Sequence, residues 1–184
     1  MKLIDDYLAN MRTNAIGRRL SGCKRVLDYG CGDGIFATRV DKGAEYVGLD
    51  IDPTVIANLS KKYPGNRYIT PDGLSKFRDG YFDAVVMFAV FEHLSRPEET
   101  LKEIGRVLAP GGRLFLTTPT PKSELLLEAM AFLHVIKANW LDEHLAYYTK
   151  RGLSTMLEAG GLRVAEFRYF QLRQNQFIVA EKKA

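Results

Sequence analysis

The chain has 184 residues, of which 46% are hydrophobic and 26% charged, a composition typical of one soluble globular domain with a full core. Two cysteines, Cys23 and Cys31, are too few for a disulfide framework or a four-ligand zinc site, so a reducing cytoplasm and no bound metal are predicted. The net charge of +4 arises within residues 101–184, where the basic side chains are scattered, and this disfavours nucleic acid as a partner.

Taken in chain order, the pattern of apolar residues in the first half of the chain predicts helices that alternate with strands. The predicted elements are an amphipathic helix at 3–20 within an N-terminal segment 1–22, a strand at 25–29, a helix at 35–40, a strand at 44–49, a helix at 53–62, and strands at 67–70 and 83–88. Asp52 is placed to cap the helix that begins at Pro53. The strand at 83–88 is apolar in its interior, which is typical of burial on both faces.

The second half continues this alternation and then changes. Ser95 and Glu98 form a capping-box pattern before a helix that Pro110 ends. The elements that follow are a strand at 113–118, an apolar helix at 123–138, a helix at 149–159, and strands at 163–170 and 176–181. The link between the last two strands is short, so they are predicted to pair antiparallel. The whole pattern predicts an α/β fold of three layers, with a doubly wound, mainly parallel sheet between helices.

The strongest motif follows the first strand, where the chain reads DYGCGDG over residues 28–34 and a helix is predicted directly afterwards. Glycines permit unusual backbone angles and let a ligand approach the main chain. The start of the helix is expected to supply free amides and partial positive charge for a carboxylate or phosphate. A merely tight structural turn is the plain alternative.

Two further acidic residues stand at predicted strand ends. Asp50 ends the second strand, 20 residues beyond Gly30, where a carboxylate can accept hydrogen bonds from both hydroxyls of a ribose. Asp72 and Gly73 follow the third strand, where they can meet the edge of an adenine ring. Asp72 is alternatively a plain turn residue.

Together these motifs resemble the class I S-adenosylmethionine (SAM)-dependent methyltransferases, and most closely their small type 11 and ubiquinone-pathway O-methyltransferase-like group. The resemblance rests on motifs that follow in order over residues 25–119: the glycine turn, GLD at 48–50, Asp72, FD at 82–83, EHL at 92–94 and EIGRVLAPGGRL at 103–114. Beyond residue 120 it is only general. It implies a single domain over residues 1–184 whose seven strands are ordered 3-2-1-4-5-7-6, with strand 7 antiparallel.

Carried over by position, the resemblance implies a site for SAM, or for its product S-adenosylhomocysteine, at the carboxyl ends of the strands. Asp28, Gly30, Cys31 and Gly32 would line the methionine moiety, Asp50 would hold the ribose, Ile51 would pack against adenine, Asp72 and Gly73 would border its amino edge, and Phe88 and Ala89 would lie near the sulfonium. Cys31 is interpreted as a backbone contributor and not as a nucleophile.

Methyl transfer from a sulfonium is an in-line displacement, in which the protein mainly aligns the acceptor with the methyl carbon. A base is needed only for a protonated, weakly acidic acceptor, and His93 is the predicted catalytic residue. His144, Trp140 and Tyr148 are predicted to line the substrate pocket. Residues 88–91 lack the Pro-Pro-Tyr type of segment found in amino-methylating DNA enzymes, and neither cysteine follows a proline, so a small-molecule acceptor is preferred.

The longest strongly apolar stretch, residues 125–136, is too short for a bilayer span of roughly 20 residues. No secretory signal is recognised, so the prediction is a cytoplasmic protein without a transmembrane segment. This stretch belongs to a cap or insertion region at 122–145. It is interpreted as a core helix, as a homodimer interface through 122–140, or as a lid over an apolar acceptor, with peripheral membrane contact disfavoured.

Two other functions stay open. An NAD-dependent oxidoreductase also uses a glycine turn and a distant acid, but Ile35 stands where its G-x-G-x-x-G pattern needs the third glycine. A catalytically silent partner subunit with the SAM-binding fold is the other alternative. The intact glycine motif and Asp50 argue against it, because a dead site has no physical need for them.

Overall fold

A computed structural model of the protein describes Ile16, residues 19–123 and residues 146–183. The strands in this part are β1 (Arg25–Tyr29), β2 (Glu45–Leu49), β3 (Arg67–Ile69), β4 (Phe82–Phe88), β5 (Leu108–Pro119), β6 (Leu162–Phe170) and β7 (Asn175–Lys182). The α-helices with described bounds are α1 (Pro53–Lys62), α2 (Pro97–Val107) and α3 (Lys150–Ala159).

The seven strands form one sheet in the order β3-β2-β1-β4-β5-β7-β6. β1 pairs parallel with β2 and β4, and β3 and β5 extend the parallel part on either side. β7 runs antiparallel to both β5 and β6. The predicted α/β fold, its strand order and its antiparallel seventh strand are therefore confirmed.

The core lies on both faces of the sheet, because successive residues of a strand point to opposite sides. On one face, Leu27 and Val85 belong to a large cluster that includes Ile104 of α2 and Leu157 of α3. On the other face, a second cluster contains Val26, Ala84, Val86, Phe115 and Phe177. The interior of β4 is buried on both faces, as its apolar sequence predicts.

The predicted cap of α1 is confirmed, and α3 begins with a second side-chain cap that the sequence analysis did not identify. The Asp52 carboxylate accepts a hydrogen bond from the Thr54 amide at 2.7 Å, and Pro53 is the first residue of α1. The Thr149 hydroxyl accepts from the Gly152 amide at 3.1 Å at the start of α3. Both side chains satisfy an amide that has no partner within its helix.

The capping box predicted at Ser95 and Glu98 is wrong. The N-cap of α2 is Arg96, without a side-chain hydrogen bond to the helix. Pro97 occupies the first helical position, where its missing amide costs nothing, so the cap falls on the residue directly before it.

Two predicted boundaries also differ. The segment predicted as a helix at 35–40 is a five-residue 3₁₀ helix, Ile35–Arg39. β5 begins at Leu108 and not at residue 113, because Leu108 pairs with Phe82 before the register shifts. The shift follows the Pro-Gly-Gly sequence at 110–112, where Gly111 has a φ of 73°.

Several predictions concern residues outside the described part. They are the N-terminal helix at 3–20, nearly all of the apolar helix at 123–138, and the cap and homodimer roles of 122–145. The single domain over 1–184 likewise stays a prediction. Within the described part of the chain, no helix is both long enough and apolar enough to cross a bilayer.

Candidate active site

The turn after β1 depends on left-handed backbone at three glycines. Gly30, Gly32 and Gly34 have φ values of 81°, 49° and 74°, a region that glycine enters at low cost. A Cβ atom on Gly30 would collide with the Val90 side chain, and one on Gly34 would lie 2.6 Å from Leu59. Both conformation and close packing therefore favour glycine at positions 30 and 34, whereas at Gly32 conformation alone favours it.

The amides of this turn already have partners in the protein. The Gly30 and Cys31 amides donate to the Leu49 carbonyl at 2.7 and 2.9 Å, and the Gly34 amide donates to the Cys31 carbonyl at 2.9 Å. The helix that follows, Ile35–Arg39, is one short 3₁₀ segment whose first amide, that of Ile35, donates to the Asp33 carboxylate at 3.0 Å. The expectation of a free amide at the helix start is therefore wrong for Ile35, and the three amides that precede the helix are engaged as well.

The Asp50 carboxylate lies against the same turn. Its Oδ2 accepts from the Gly32 amide at 3.0 Å, and its Oδ1 accepts from the Asp52 amide at 3.0 Å. The side chain is only half-buried, and each carboxylate oxygen can accept a second hydrogen bond. Asp50 is thus fixed in position while retaining capacity for two further donors.

Asp28, at the same strand end, is 5% exposed and accepts a hydrogen bond from the Tyr46 hydroxyl at 2.6 Å. Burial raises the pKa of the Asp28 carboxyl to about 7, an effect that the Tyr46 hydrogen bond opposes and the charges of Asp33 and Asp50 reinforce. Such a carboxyl ionises readily when a cation approaches. Sequence reasoning missed Tyr46, although a tyrosine within a buried strand signals a partner for its hydroxyl.

Cys31 is 6% exposed beside these carboxyls. Burial raises the pKa of its thiol to about 12, and the charges of Asp28 and Asp50 act in the same direction. Because the thiolate is the nucleophilic form, this thiol is inert at neutral pH. The environment supports the interpretation of Cys31 as a backbone contributor.

A cleft of about 400 Å³ opens beyond the ends of β1, β2 and β3. Its walls include Ile51, Pro71, Leu74, His93 and Leu94. Ile51 is 83% exposed, which is unusual for a large apolar side chain. It is therefore placed to pack against a flat ring in the cleft.

Asp72 and Gly73 lie in the 3₁₀ segment Pro71–Lys76, which forms one wall of this cleft. The exposed Asp72 carboxylate accepts from the Thr70 hydroxyl, and this hydrogen bond lowers the pKa of Asp72. Gly73 is buried, and a Cβ atom there would lie 3.0 Å from the Ile69 side chain. Asp72 is thus a turn residue, and the cleft is lined by Pro71 and Leu74 on either side of the Asp72–Gly73 pair.

The end of β4 is brought onto the glycine turn. Phe88 is half-buried and packs edge-to-face on Phe36, with ring centroids 5.7 Å apart. Ala89 has a left-handed φ of 53°, and its amide donates to the carbonyl and the hydroxyl of Thr117 at 3.0 and 3.2 Å. A non-glycine residue in this conformation is costly and persists only when its surroundings fix it. Val90, the next residue, then covers the turn.

His93 and Tyr148, the described members of the predicted catalytic and pocket residues, line different openings. His93 is exposed at the end of the 3₁₀ segment Phe91–His93 and lines the cleft beside Ile51. It does not belong to the cavity that Tyr148 lines. His144 and Trp140 lie outside the described residues, so their predicted roles are left as predictions.

A second cavity, of about 210 Å³, lies beyond the end of β5 and before α3. Its lining includes Tyr148, whose ring centroid is 4.9 Å from that of Phe91. Gln176 is 1% exposed, and its side-chain amide donates to the carbonyls of Pro119 and Tyr148 at 3.1 and 2.7 Å. Sequence reasoning missed Gln176, although a polar residue at the start of an apolar strand signals a buried hydrogen bond.

Across the described ranges, no group of three or more His, Cys, Asp or Glu side chains is arranged to hold a metal ion.

Comparison with known proteins agrees with this geometry. A family profile described as a methyltransferase domain matches residues 4–166. Ubiquinone biosynthesis O-methyltransferase of Pseudomonas aeruginosa is 34% identical over 117 residues, which cover 59% of this chain and 50% of that protein. The chain thus spans about half the length of this curated relative.

Two solved structures show the same fold at low sequence identity. A SAM-dependent methyltransferase from Archaeoglobus fulgidus aligns with a TM-score of 0.74 and 21% identity, covering 94% of each chain. The 4+2 cyclase SpnF aligns with a TM-score of 0.76 and 19% identity, covering 96% of this chain and 82% of the other.

The profile match extends over most of the chain, the predicted strand order is observed, and the family uses SAM as its cofactor. The chain therefore belongs to the class I SAM-dependent methyltransferases, an enzyme family with a methyltransferase domain.

Proposed function

We propose that this chain transfers a methyl group from SAM to a small-molecule acceptor at the carboxyl edge of the sheet. The observation that carries the proposal is the Asp50 carboxylate, which two backbone amides hold at the glycine turn. Its remaining lone pairs suit the two hydroxyls of a ribose. The neighbouring exposed Ile51 suits the face of an adenine ring.

The charge of this region also suits the cofactor, which carries an ammonium and a sulfonium against a single carboxylate. Aspartates lie at the carboxyl ends of β1, β2 and β3 or in the turns that follow them: Asp28, Asp33, Asp50, Asp52 and Asp72. Asp28 is placed to face the ammonium group of the methionine moiety, which Gly30, Cys31 and Gly32 would border. Phe88 and Ala89 would lie beside the methyl group.

The sulfonium supplies an activated methyl group, so the contribution of the chain is position. Ala89 is fixed by two hydrogen bonds to Thr117, and Val90 packs over the glycine turn. A rigid wall at this point restricts the approach of an acceptor to one direction and excludes water, both of which favour in-line displacement. His93 stays the predicted base for an acceptor that arrives protonated, although its place beside Ile51 favours a contact at the adenosine end.

Two observations support a methyl transfer to a small molecule over the alternatives. The order 3-2-1-4-5-7-6 with an antiparallel seventh strand differs from the 3-2-1-4-5-6 order of the dinucleotide-binding fold. The Pseudomonas relative is named as a biosynthetic O-methyltransferase, which supports a small-molecule acceptor here.

The proposal is tested by calorimetry with S-adenosylhomocysteine on the wild-type chain and on Asp50→Ala. Loss of two hydrogen bonds to a charged acceptor predicts an affinity about a hundredfold lower in the variant. Asp52→Ala is the matched control, since it removes a neighbouring carboxylate and the α1 cap at a cost of about 1 kcal/mol in stability. Its affinity should stay near that of the wild type.

Thermal unfolding of each variant shows whether it is folded at the temperature of the titration. Equal affinities in the wild type and Asp50→Ala would contradict the ribose contact. Tight binding without transfer of a labelled methyl group to any member of an acceptor panel would favour the silent partner subunit instead.

A further inference from the structure

Among the described residues that line the 210 Å³ cavity, three carry basic side chains and none is acidic. These are Lys122, Lys150 and Arg173. None of the three takes part in the ion pairs found among the described residues. The nearby Glu166 is engaged elsewhere, by Arg19 at 3.1 Å and Arg168 at 3.6 Å. The cavity therefore concentrates positive charge that no carboxylate of its lining balances.

Aromatic rings hold two of these cations in place. The Arg173 guanidinium lies 4.5 Å from the centroid of the Tyr169 ring, and the Lys150 ammonium lies 4.9 Å from that of Phe167. A cation over a ring face keeps its charge, and a stacked guanidinium keeps the N–H donors at its edge. These contacts orient the two cations without neutralising them.

The chain also fixes Arg173 at the cavity through its backbone. Gln171, Leu172 and Arg173 have consecutive left-handed φ values of 51°, 54° and 66°, which side chains with a Cβ atom seldom adopt. Thr120, at the end of β5, donates from its hydroxyl to the Arg173 carbonyl at 3.0 Å and from its amide to the Gln174 carbonyl at 2.9 Å. The strained turn is thus tied to the floor of the cavity.

The rest of the lining suits a flat ring. Tyr148 and Tyr169 supply aromatic walls, and Gln176 fixes the backbone of Tyr148 from below. A volume of about 210 Å³ is below the usual range of about 300–1,000 Å³ for whole ligands, so the cavity suits one substituted ring.

The cavity adjoins the region proposed for the methyl group. β4 and β5 are neighbouring strands, and Ala89 after β4 is bonded to Thr117 of β5. The Tyr148 ring contacts Phe91, one residue beyond the Val90 that covers the glycine turn. A molecule anchored in the cavity can therefore extend toward the end of β4.

We propose that this cavity binds the acidic group of an aromatic acceptor, a carboxylate or a phosphate ester, and thereby sets the substrate class of the enzyme. The inference rests on the proposed function, because it names the molecule that receives the methyl group. Arg173 and Lys122 are the specificity-determining residues, and a neutral analogue of the same shape leaves their charge unpaired.

The test is calorimetry with three probes of one shape family, benzoate, phenyl phosphate and neutral benzamide, on the chain saturated with S-adenosylhomocysteine. We expect either anion to bind at least tenfold tighter than benzamide, and the tighter of the two identifies the acidic group. Arg173→Gln and Lys122→Gln should each weaken the anion about fivefold and leave benzamide unchanged. Lys102→Gln removes the same charge from an exposed position on α2 and should change neither affinity.

Equal affinities for the anions and benzamide, no binding of either anion, or an Arg173→Gln effect no larger than that of Lys102→Gln would each overturn the inference. S-adenosylhomocysteine affinity is measured separately in every variant and is expected to stay constant. If S-adenosylhomocysteine does not bind the wild-type chain, the proposed function is wrong. If the chain still prefers the anions to benzamide in that case, the assignment of the cavity to an acidic group is retained.

Discussion

The two sides of the carboxyl edge of the sheet carry opposite charges. The acidic side, after β1, β2 and β3, holds Asp28, Asp33, Asp50, Asp52 and Asp72. The basic side, around the end of β5 and the β6–β7 turn, holds Lys122, Lys150 and Arg173. A cationic cofactor on the first side and an acidic acceptor on the second would each meet complementary charge, which steers both ligands to their own places.

The two sides also differ in how their charges are held. On the acidic side, Asp28 accepts from the Tyr46 hydroxyl, and Asp50 accepts from two backbone amides. On the basic side, Arg173 and Lys150 rest on aromatic rings and lack an acidic partner in the cavity. On the acidic side these two carboxylates already accept hydrogen bonds from the protein before any ligand binds, although Asp50 retains capacity for two more, whereas the basic side has cations without a carboxylate partner among the described residues. Ligand charge is therefore expected to matter more on the basic side.

The largest expected effect concerns the acidic side, at Asp28, where burial raises the pKa of the carboxyl to about 7. In the folded state Asp28 keeps its proton up to about pH 7, whereas in the unfolded chain it releases the proton near pH 3.8. The protonated group therefore stabilises the folded state fully at low pH, and this contribution to the free energy of unfolding is lost as the pH rises through 7. Between pH 5 and pH 8 we expect a loss of about 3 kcal/mol. Urea unfolding at intervals across this range measures it.

The matched comparison is Asp28→Asn, which keeps an oxygen for the Tyr46 hydroxyl but cannot ionise. Its stability should lack the decline between pH 5 and pH 8 that the wild type shows. Glu158→Gln, at an exposed position of α3, should keep the wild-type slope. Parallel pH profiles for the wild type and Asp28→Asn would show that Asp28 ionises as freely as an exposed carboxyl.

A smaller effect is expected in cofactor-product binding. An ammonium group beside Asp28 favours the ionised carboxylate, so binding lowers the pKa of Asp28 and affinity should rise with pH up to about 7. S-adenosylhomocysteine should bind about tenfold tighter at pH 7.5 than at pH 6, because only about a tenth of Asp28 is ionised at the lower pH. Calorimetry at both pH values measures the ratio. An unchanged affinity, or the same ratio in Asp28→Asn, would place the ammonium elsewhere.

The sequence predicts the parallel part of the sheet well because its signals are local. Asp52 and Pro53 mark the start of α1, and an apolar run marks β4. The start of α2 was misplaced, since Pro97 competes with Ser95 for control of the helix start. The start of β5 was also missed, because the pairing of Leu108 with Phe82 is a long-range contact that no local pattern contains.

The candidate site shows the same division. The turn on the acidic side can be predicted from the sequence because the residues with left-handed backbone conformation there are glycines: Gly30, Gly32 and Gly34. On the basic side, left-handed backbone occurs at Gln171, Leu172 and Arg173, which carry no such signal. Lys122, Lys150 and Arg173 come from three separate segments, so only the folded chain shows that they share one cavity.

The smallest expected effect on stability concerns the left-handed backbone of the β6–β7 turn and is measured at Leu172. Its side chain is 94% exposed, so removing it sacrifices almost no buried surface. Glycine enters the left-handed region without the steric cost of a Cβ atom, and part of that gain is offset by the greater freedom of glycine in the unfolded chain. Leu172→Gly is therefore expected to stabilise the protein by about 0.5–1 kcal/mol, a rise of roughly 2 °C in Tm.

The control at the same position is Leu172→Ala, which removes the same exposed side chain but keeps the Cβ atom. It should unfold within about 0.5 kcal/mol of the wild type, as surface substitutions usually do. If Leu172→Gly destabilises the protein, the turn carries no strain. The only effect of the substitution would then be the greater conformational freedom of glycine in the unfolded chain. In that case the β6–β7 turn would hold Arg173 at the cavity without a conformational cost. It would then not differ in backbone strain from the glycine turn after β1.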